Sequence, residues 1–406
     1  MNKIDNKIIP VSDKVNWIGV LDYDIVTFDV VMETEYGTTY NSYFINAEKK
    51  AVVETVKEKF WPVYKEKLSK LCNLSEIEYI IVNHTEPDHS GSIKHLLKEA
   101  PNAKVVGSGN AIRYLKDLMN EDFEHIVVKD GDELDLGNEK LQFISAPNLH
   151  WPDSMYTYMP SEKLLFTCDS FGAHFCHEEM IDKKVGNYDD AFKYYFDVIL
   201  KPYSKFFLKA IAKIEGFDIN AILTGHGPLL LNDWKRYVDW SKEMCEVYLQ
   251  NPSKNKVLVA YVSAYQKSAL IAKAIGEGIN ASGKCTANVV DIENSTLGEL
   301  DQLLTESSGI VVGSPTINQN VLMPVYKLIG AINPIRDKKK PAGAFGSYGW
   351  SGESIKILRG ALENLKLDFV GDGAFVKFSP SDDDIEAAIQ YGKHIADKVI
   401  SFVASE

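Results

Sequence analysis

The sequence predicts an α/β protein of two domains, the second a doubly wound parallel sheet of five strands, and three observations carry that expectation. A chain of 406 residues exceeds what one ordinary core accommodates. Asn251 to Lys256 is polar, carries the helix-stopping Pro252, and separates a helix ending near Leu249 from the strand VLVAYV. Beyond that point strand-like and helical runs alternate regularly. The expected domains are residues 1–250 and 256–406.

The first domain begins with β-rich runs, WIGVL near Trp17, IVTFDVVM from Ile25 and TTYNSYFI from Thr38, where β-branched and aromatic residues alternate with polar ones. IEYIIVN (Ile77 to Asn83) reads as a buried strand followed by the helical SIKHLLKEA, and KVVGS with NAIRYLKDLM repeats that alternation. Further strands are expected at LQFISA and LLFTCD, then a long helical segment near Tyr194 to Ile214 and the strand AILTG. In the second domain the strands VLVAYV, TANVVDI, GIVVGS, AGAFGS and DFVGDGAFV alternate with helices from about Ser268, Leu297, Leu322, Glu353 and Asp383. Strand–helix alternation of this kind implies right-handed crossovers and a parallel sheet.

Hydrophobic residues at 45% and charged residues at 25% match a globular chain and exclude disorder along most of its length. The formal net charge of −13 and the lack of a basic cluster disfavour nucleic acid and anionic membrane as partners. The start MNKIDNKIIPVSDK has no apolar signal core and no apolar run approaches a membrane span, so a cytoplasmic location is expected. Five cysteines, Cys72, Cys168, Cys176, Cys245 and Cys285, form no CxxC pair. They read as small buried hydrophobes, and any iron must be held by other ligands.

His84-Thr85-Glu86-Pro87-Asp88-His89 directly follows a buried strand, where a scaffold can aim several side chains at one point. His150 in LHWPDS, Asp169 after LLFTC and His226 in TGHGP occupy the same kind of position. A single such residue is commonly a cap or a satisfied polar contact, but seven at successive strand ends point to two metals. A carboxylate such as Asp169 can bridge two cations roughly 3.5–4 Å apart. Four imidazoles and three carboxylates suit a di-iron centre, with zinc open on ligand type alone. The other histidines, His95, His125, His177 and His394, read as ordinary helix or surface residues.

The strand order and the series HxExDH…H…D…H resemble the flavodiiron proteins, whose first domain looks like a metallo-β-lactamase, an αββα sandwich. Hydrolases of that superfamily carry HxHxDH, and Glu86 stands here where they have their second His. GTTYNSY, EPDHSG, LHWPDSM and CDSFGAH also look like family segments. The resemblance implies that His84, Glu86 and His150 bind one iron, that Asp88, His89 and His226 bind the other, and that Asp169 bridges. It allows the equivalent of His89 either to bind or to turn away. His174 would lie just behind the ligands, and Tyr195 is either a proton donor or a core aromatic. Asp29 departs from the family, where many relatives have a His able to reach the distal pocket.

Strand VLVAYV runs into Ser263-Ala264-Tyr265-Gln266-Lys267-Ser268 and a helix; such a hydroxyl-rich loop offers backbone N–H groups and a helix dipole to a phosphate. Two further strand-end loops, Ser314-Pro315-Thr316-Ile317-Asn318-Gln319 and Ser347-Tyr348-Gly349-Trp350-Ser351-Gly352, supply glycine for close approach, amides for a ring edge and aromatics for stacking. There is no GxGxxG, which disfavours a dinucleotide site. This half resembles flavodoxin, with the first loop on the FMN phosphate and the others around the isoalloxazine. Gln266 stands where relatives often have Gly.

The resemblance spans nearly the whole chain and implies an FMN- and di-iron-dependent reductase of O2 to water, of NO to N2O, or of both. It implies a head-to-tail homodimer, or a dimer of dimers, with one subunit's FMN beside its neighbour's irons. Lacking a four-cysteine module, the chain would take electrons from rubredoxin or a reduced deazaflavin. Two rivals are a zinc-dependent metallo-β-lactamase-type hydrolase with a fused flavodoxin domain, and a non-catalytic carrier or gas sensor with a vacant metal site.

Overall fold

The computed structural model describes residues 7–28, 32–250 and 255–405, so Asp29 and most of the polar stretch Asn251 to Lys256 lie outside the described residues. The chain forms two compact units, one of the segment up to Phe28 with Thr34–Leu249, the other of the residues from Gln250 onward together with Met32 and Glu33. Among the described residues no helix is long and apolar enough to cross a membrane.

The first unit is an αββα sandwich. One sheet has seven strands in the order Ile9–Pro10, Val15–Trp17, Tyr43–Ile45, Lys50–Val53, Ile77–Val82, Lys104–Gly107 and His125–Val127. Its first four strands run antiparallel and its last pairings are parallel. The facing sheet has five strands, Glu133–Asp135, Lys140–Ser145, Met155–Met159, Leu164–Cys168 and Ala221–Thr224, of which the last two pair in parallel. Trp17, Tyr43, Ile81 and Val106 of one sheet share a core with Phe143, Met159, Phe166 and Leu223 of the other. That shared core is what brings the ends of both sheets to one place.

The long β runs expected near the start are broken. WIGVL divides into Val15–Trp17 and Val20–Asp22, and TTYNSYFI into Thr38–Tyr40 and Tyr43–Ile45. Gly19 sits at a backbone crossing where a Cβ would lie 2.3 Å from Tyr40 O. Asn41 turns out of register to donate from Nδ2 to Thr224 O and Gly227 O. IVTFDVVM holds only the short strands Thr27–Phe28 and Met32–Glu33 among its described residues. The helical segment expected near Tyr194 to Ile214 is interrupted too. Asp189–Tyr195 runs into a π turn over Phe196–Leu200 and a 3-10 turn over Lys201–Tyr203, and the α-helix resumes at Ser204–Ile214. Pro202 lacks the N–H that a continuous helix needs.

The second unit is a flavodoxin-like doubly wound sheet with strand order Thr286–Asp291, Lys256–Tyr261, Gly309–Gly313, Pro341–Tyr348, then the fifth strand, every pairing parallel. DFVGDGAFV supplies that fifth position as two pieces, Asp368–Phe369 and Ala374–Lys377, split where Gly371 and Gly373 take left-handed φ of 62° and 86°. Helices Lys267–Ala281, Leu297–Thr305, Met323–Ala331, Glu353–Asn364 and Asp382–Ser405 alternate with the strands as expected. Of the five cysteines four are buried and Cys72 is half-buried, and none is in a disulfide.

Candidate metal centre and flavin site

Each predicted metal residue stands where a strand of the first unit runs out. After Ile77–Val82 the chain passes through His84 and Glu86 into one helical turn, Pro87–Ser90. Pro87 presets φ at the first helical position, and the N–H groups of His89 and Ser90 both donate to Glu86 O at 2.9 Å. The turn carries Asp88 and His89 to the same spot as His84. Asp169 follows Leu164–Cys168, His226 follows Ala221–Thr224, and His150 precedes Met155–Met159.

All seven converge, and they converge as two groups sharing one carboxylate. In the first, Glu86 Oε2 lies 3.2 Å from His84 Nε2 and 2.9 Å from His150 Nε2, while Asp169 Oδ2 lies 3.5 and 3.6 Å from the same two nitrogens. In the second, Asp88 Oδ2 lies 3.1 Å from His226 Nε2 and 3.4 Å from His89 Nε2, while Asp169 Oδ1 lies 3.5 and 3.1 Å from them. The ring of His89 is therefore turned inward, one of the two orientations that the resemblance allows.

For His84 and His226, which ring nitrogen faces inward is set from behind. Asp153, fully buried, pairs with His84 Nδ1 at 3.2 Å and accepts from Thr85 N and Oγ1 at 2.7 Å. His226 Nδ1 donates to Thr39 O at 2.6 Å. Glu54, at the end of Lys50–Val53, accepts from Asn83 N at 2.7 Å and anchors the strand end from which the motif departs. Orienting partners of this kind fix the tautomer and direction of a ligating imidazole. Sequence reading missed all three. Asp153 lies within LHWPDS, but nothing in its spacing marks it as the partner of His84.

Electrostatics say what the cluster lacks. Burial opposes charge on His84, yet hydrogen bonds to Asp153 and Glu86 hold its pKa well above the usual imidazole value. Burial likewise opposes charge on His89, but Asp88 and Asp169 bring it to about 9. Burial would raise Glu86 and Asp169, and the facing histidines hold both well below the carboxylate range. Protons on the imidazoles thus stand where cations would neutralise the carboxylates. Both oxygens of Asp88 and Asp169 Oδ2 are buried without a hydrogen-bond partner. Such groups cost several kcal/mol unless a cation takes their lone pairs. Two cations with nitrogen and oxygen ligands, sharing Asp169, fit that need.

His174 and Tyr195 lie behind this centre. The His174 ring contacts those of His226 and Tyr195 with centroids 5.2 and 4.8 Å away, and Nδ1 lies 2.8 Å from Thr38 Oγ1. Tyr195 donates from its hydroxyl to Asp169 Oδ1 at 3.2 Å, just before the π turn. Burial pushes the Tyr195 phenol well up, and burial with the neighbouring His226 keeps His174 well down. His95, expected to be ordinary, pairs on the surface with Glu58 at 2.8 Å.

In the second unit a cleft of about 290 Å³ opens at the carboxyl ends of the strands. Ser263, Ala264, Tyr265 and Lys267 of the first loop line it, with Pro315, Thr316 and Ile317 of the second and Ser347, Tyr348 and Gly349 of the third. Ser263 Oγ accepts from Ala269 N at 3.3 Å, capping the helix that begins at Lys267. Gln266 takes φ of 62°, the left-handed turn that a glycine would take, so the loop keeps its course. Asn318 and Gln319, at φ of 53° and 58°, form a two-residue hairpin closed by reciprocal bonds of 3.0 Å between Ile317 and Asn320.

Several predicted residues do not line the cleft. Ser268 and Ser314 are buried behind it, near Ser347 Oγ at 3.3 Å and accepting from Leu322 N at 3.1 Å respectively. Gln266, Asn318, Gln319 and Gly352 shape the loops, and Trp350 stands 89% exposed. Phe378 and Ser379 line the cleft although sequence reading passed over them. A phosphate loop at a helix start beside aromatic and amide-bearing loops fits a flavin mononucleotide.

Comparison with known proteins agrees with both halves. Residues 38–227 match the model of the ODP family beta lactamase, and residues 259–392 that of flavodoxin. The chain is 38% identical to Flavo-diiron protein FprA2 of Clostridium acetobutylicum over 403 residues, covering 96% of this chain and 99% of the relative. It is 35% identical to Type A flavoprotein fprA of Rhodobacter capsulatus, covering 96% and 91%. Among solved structures, the rubredoxin oxygen:oxidoreductase of Desulfovibrio gigas superposes with a TM-score of 0.76 at 27% identity, covering 98% of this chain and all of that one. The flavodiiron protein of Giardia intestinalis gives 0.74 at 28% identity, covering 98% of each.

Proposed function

Because the chain belongs to the flavodiiron (type A flavoprotein) family of oxidoreductases, we propose that it reduces O2 to water, NO to N2O, or both, using FMN and a non-haem iron pair. The observation that carries this reading is Asp169, whose two oxygens each face a separate buried ligand group, with carboxylate Glu86 where a hydrolase would present imidazole. In that reading His84, Glu86 and His150 hold one iron, Asp88, His89 and His226 the other, and Asp169 both. Residues 1–250 then carry the metals and 256–406 the flavin.

When bound, FMN would supply electrons and the iron pair a Lewis-acidic, redox-active site for the gas. The chain's own contribution is positional and protonic. Asp153 and Thr39 O hold His84 and His226 with Nε2 inward, the orientation in which each would ligate a metal. Burial keeps the proton on the Tyr195 hydroxyl, which donates to Asp169 Oδ1 at 3.2 Å and so holds a proton beside the centre, where gas reduction would consume protons. Phe28, whose ring centroid lies 4.5 Å from that of His174, keeps water from that side.

Rubredoxin is the proposed electron donor, in keeping with the name of the Desulfovibrio relative, and a reduced deazaflavin is the second candidate. A head-to-tail homodimer in the cytoplasm completes the proposal. Anaerobic reduction, then parallel O2 and NO consumption assays with rubredoxin and its reductase, tests it. Negligible rates with both gases would reject the function. Two zinc ions per chain with ester or thioester hydrolysis, and no flavin-dependent gas uptake, would install the hydrolase instead.

A further inference from the structure

The flavin cleft has a wall that none of its three loops supplies. The strand Ala374–Lys377 ends at Phe378, which lines the cleft with Ser379 beside Tyr348 and Gly349. Phe378 takes φ of 60°, in the left-handed region, where a bulky side chain is uncommon. Its N–H donates to Tyr348 O at 2.6 Å, which ties this residue to the third loop. A Cβ built on Gly349 would approach Phe378 Cε1 to 3.3 Å, so the ring occupies the space that the glycine leaves. Yet the Phe378 side chain is 62% exposed, and it belongs to none of the hydrophobic core clusters of its unit.

A strained backbone that holds an aromatic ring out in solvent gains nothing for the fold. At the rim of a cleft it gains a surface for a planar ligand. We propose that Phe378 is a flavin-contacting residue, a fourth wall whose ring packs on the isoalloxazine and helps orient it. The proposal rests on the FMN reading of this cleft, and the test separates the two.

The experiment titrates flavin-free full-length protein with FMN and follows quenching of flavin fluorescence, for the parent and for Phe378→Ala, Phe378→Gly and Phe378→Tyr. A parent that does not bind FMN refutes the FMN reading itself. If the parent binds, Ala and Gly are expected to weaken FMN by about tenfold, about 1.4 kcal/mol, with Tyr within about twofold of the parent. Gly removes the ring while relieving the left-handed strain, so a purely backbone role would leave its affinity at the parent value. Parent-like affinity in either Ala or Gly overturns the proposal. If both truncations fail to fold, Phe378→Trp decides. Saturating FMN must quench the added indole emission, measured as the excess over the parent, and unquenched excess emission overturns the proposal.

Discussion

The metal centre and the flavin cleft are built by opposite means. At the metal centre six of the seven candidate ligand side chains are buried, with His150 partly exposed, and Asp153, Glu54 and Thr39 O brace the cluster through hydrogen bonds. In the cleft Tyr265 is 81% exposed, and shape comes from the backbone, with Gln266, Asn318, Gln319 and Phe378 all in the left-handed region. The first site draws its order from buried charges and the hydrogen bonds that brace them. The second offers a loop framework whose remaining surface the ligand supplies, so substitutions should act on charge in one and on conformation in the other.

The most damaging change predicted is Asp169→Asn, which removes the carboxylate common to both ligand groups. Iron per chain, measured by plasma emission, should fall by about half or more, and gas consumption by more than about 100-fold, beyond the loss typical of an orienting residue. Parent-like iron content would break the account of Asp169 as the shared ligand.

Next in size is a change to a buried carboxylate of the flavin unit that already has its cations. Asp337 accepts from Arg336 Nε and Nη2 at 2.9 and 2.8 Å and from Lys340 Nζ at 2.8 Å, where Asp88 has no such partner. Burial raises the Asp337 pKa, but Arg336 and Lys340 outweigh it and leave it below the ordinary 3.8. A depressed carboxylate stabilises the fold above its unfolded pKa and loses that contribution as pH falls through the folded one. Its share of stability should therefore persist at pH 5 to 7, begin to decline near pH 3.8 and be lost as the pH falls through the lower folded pKa. Asp337→Asn should cost about 3–5 kcal/mol in denaturant unfolding at neutral pH, and far less in strong acid. An equal cost at both pH values would mean that packing, not charge, is lost.

Asp153→Asn comes third. It keeps the shape and Thr85 contacts but weakens the hold on His84, and metal affinity by competition with a chelator should drop about 10–100-fold. The contrast with Asp169 also marks what was legible in the sequence. All seven candidate ligands were legible because each is an ionisable residue just past an apolar strand. Their braces were not: Thr39 acts through a carbonyl that every residue has, and Asp153 looks like any turn aspartate until folding brings it to His84. The parallel sheet of the second unit was legible because its central strands, Lys256–Tyr261, Gly309–Gly313 and Pro341–Tyr348, are almost wholly buried and therefore read as continuous apolar runs. The early strands were not, since the breaks at Gly19 and Asn41 answer to a backbone crossing and to Thr224, far along the chain. Phe378 escaped notice because its position depends on the two glycine turns that split the fifth strand and on its own positive φ.

The smallest effect, and the sharpest test of the contrast, is Gln266→Gly. A left-handed residue with a side chain costs roughly 1–2 kcal/mol, and glycine removes that cost while adding conformational freedom to the unfolded chain. The balance should favour the variant by about 0.5–1 kcal/mol in unfolding of the flavin-free protein. Gln266→Ala keeps the strain and serves as the control, expected within about 0.5 kcal/mol of the parent. The same loop must hold its turn when no phosphate is present, and glycine leaves it freer to move, so FMN should associate with the Gly variant no more tightly despite the gain in stability. At the metal centre left-handed residues occur too, Glu54 and Cys168 at φ of 59° and 49°, but both are buried among the charged groups, so their backbone cannot be relaxed without disturbing charge. If Gln266→Gly is instead destabilised by 1 kcal/mol or more, the Gln266 side chain contributes a contact of its own, and the cleft is less a matter of backbone than its left-handed residues imply.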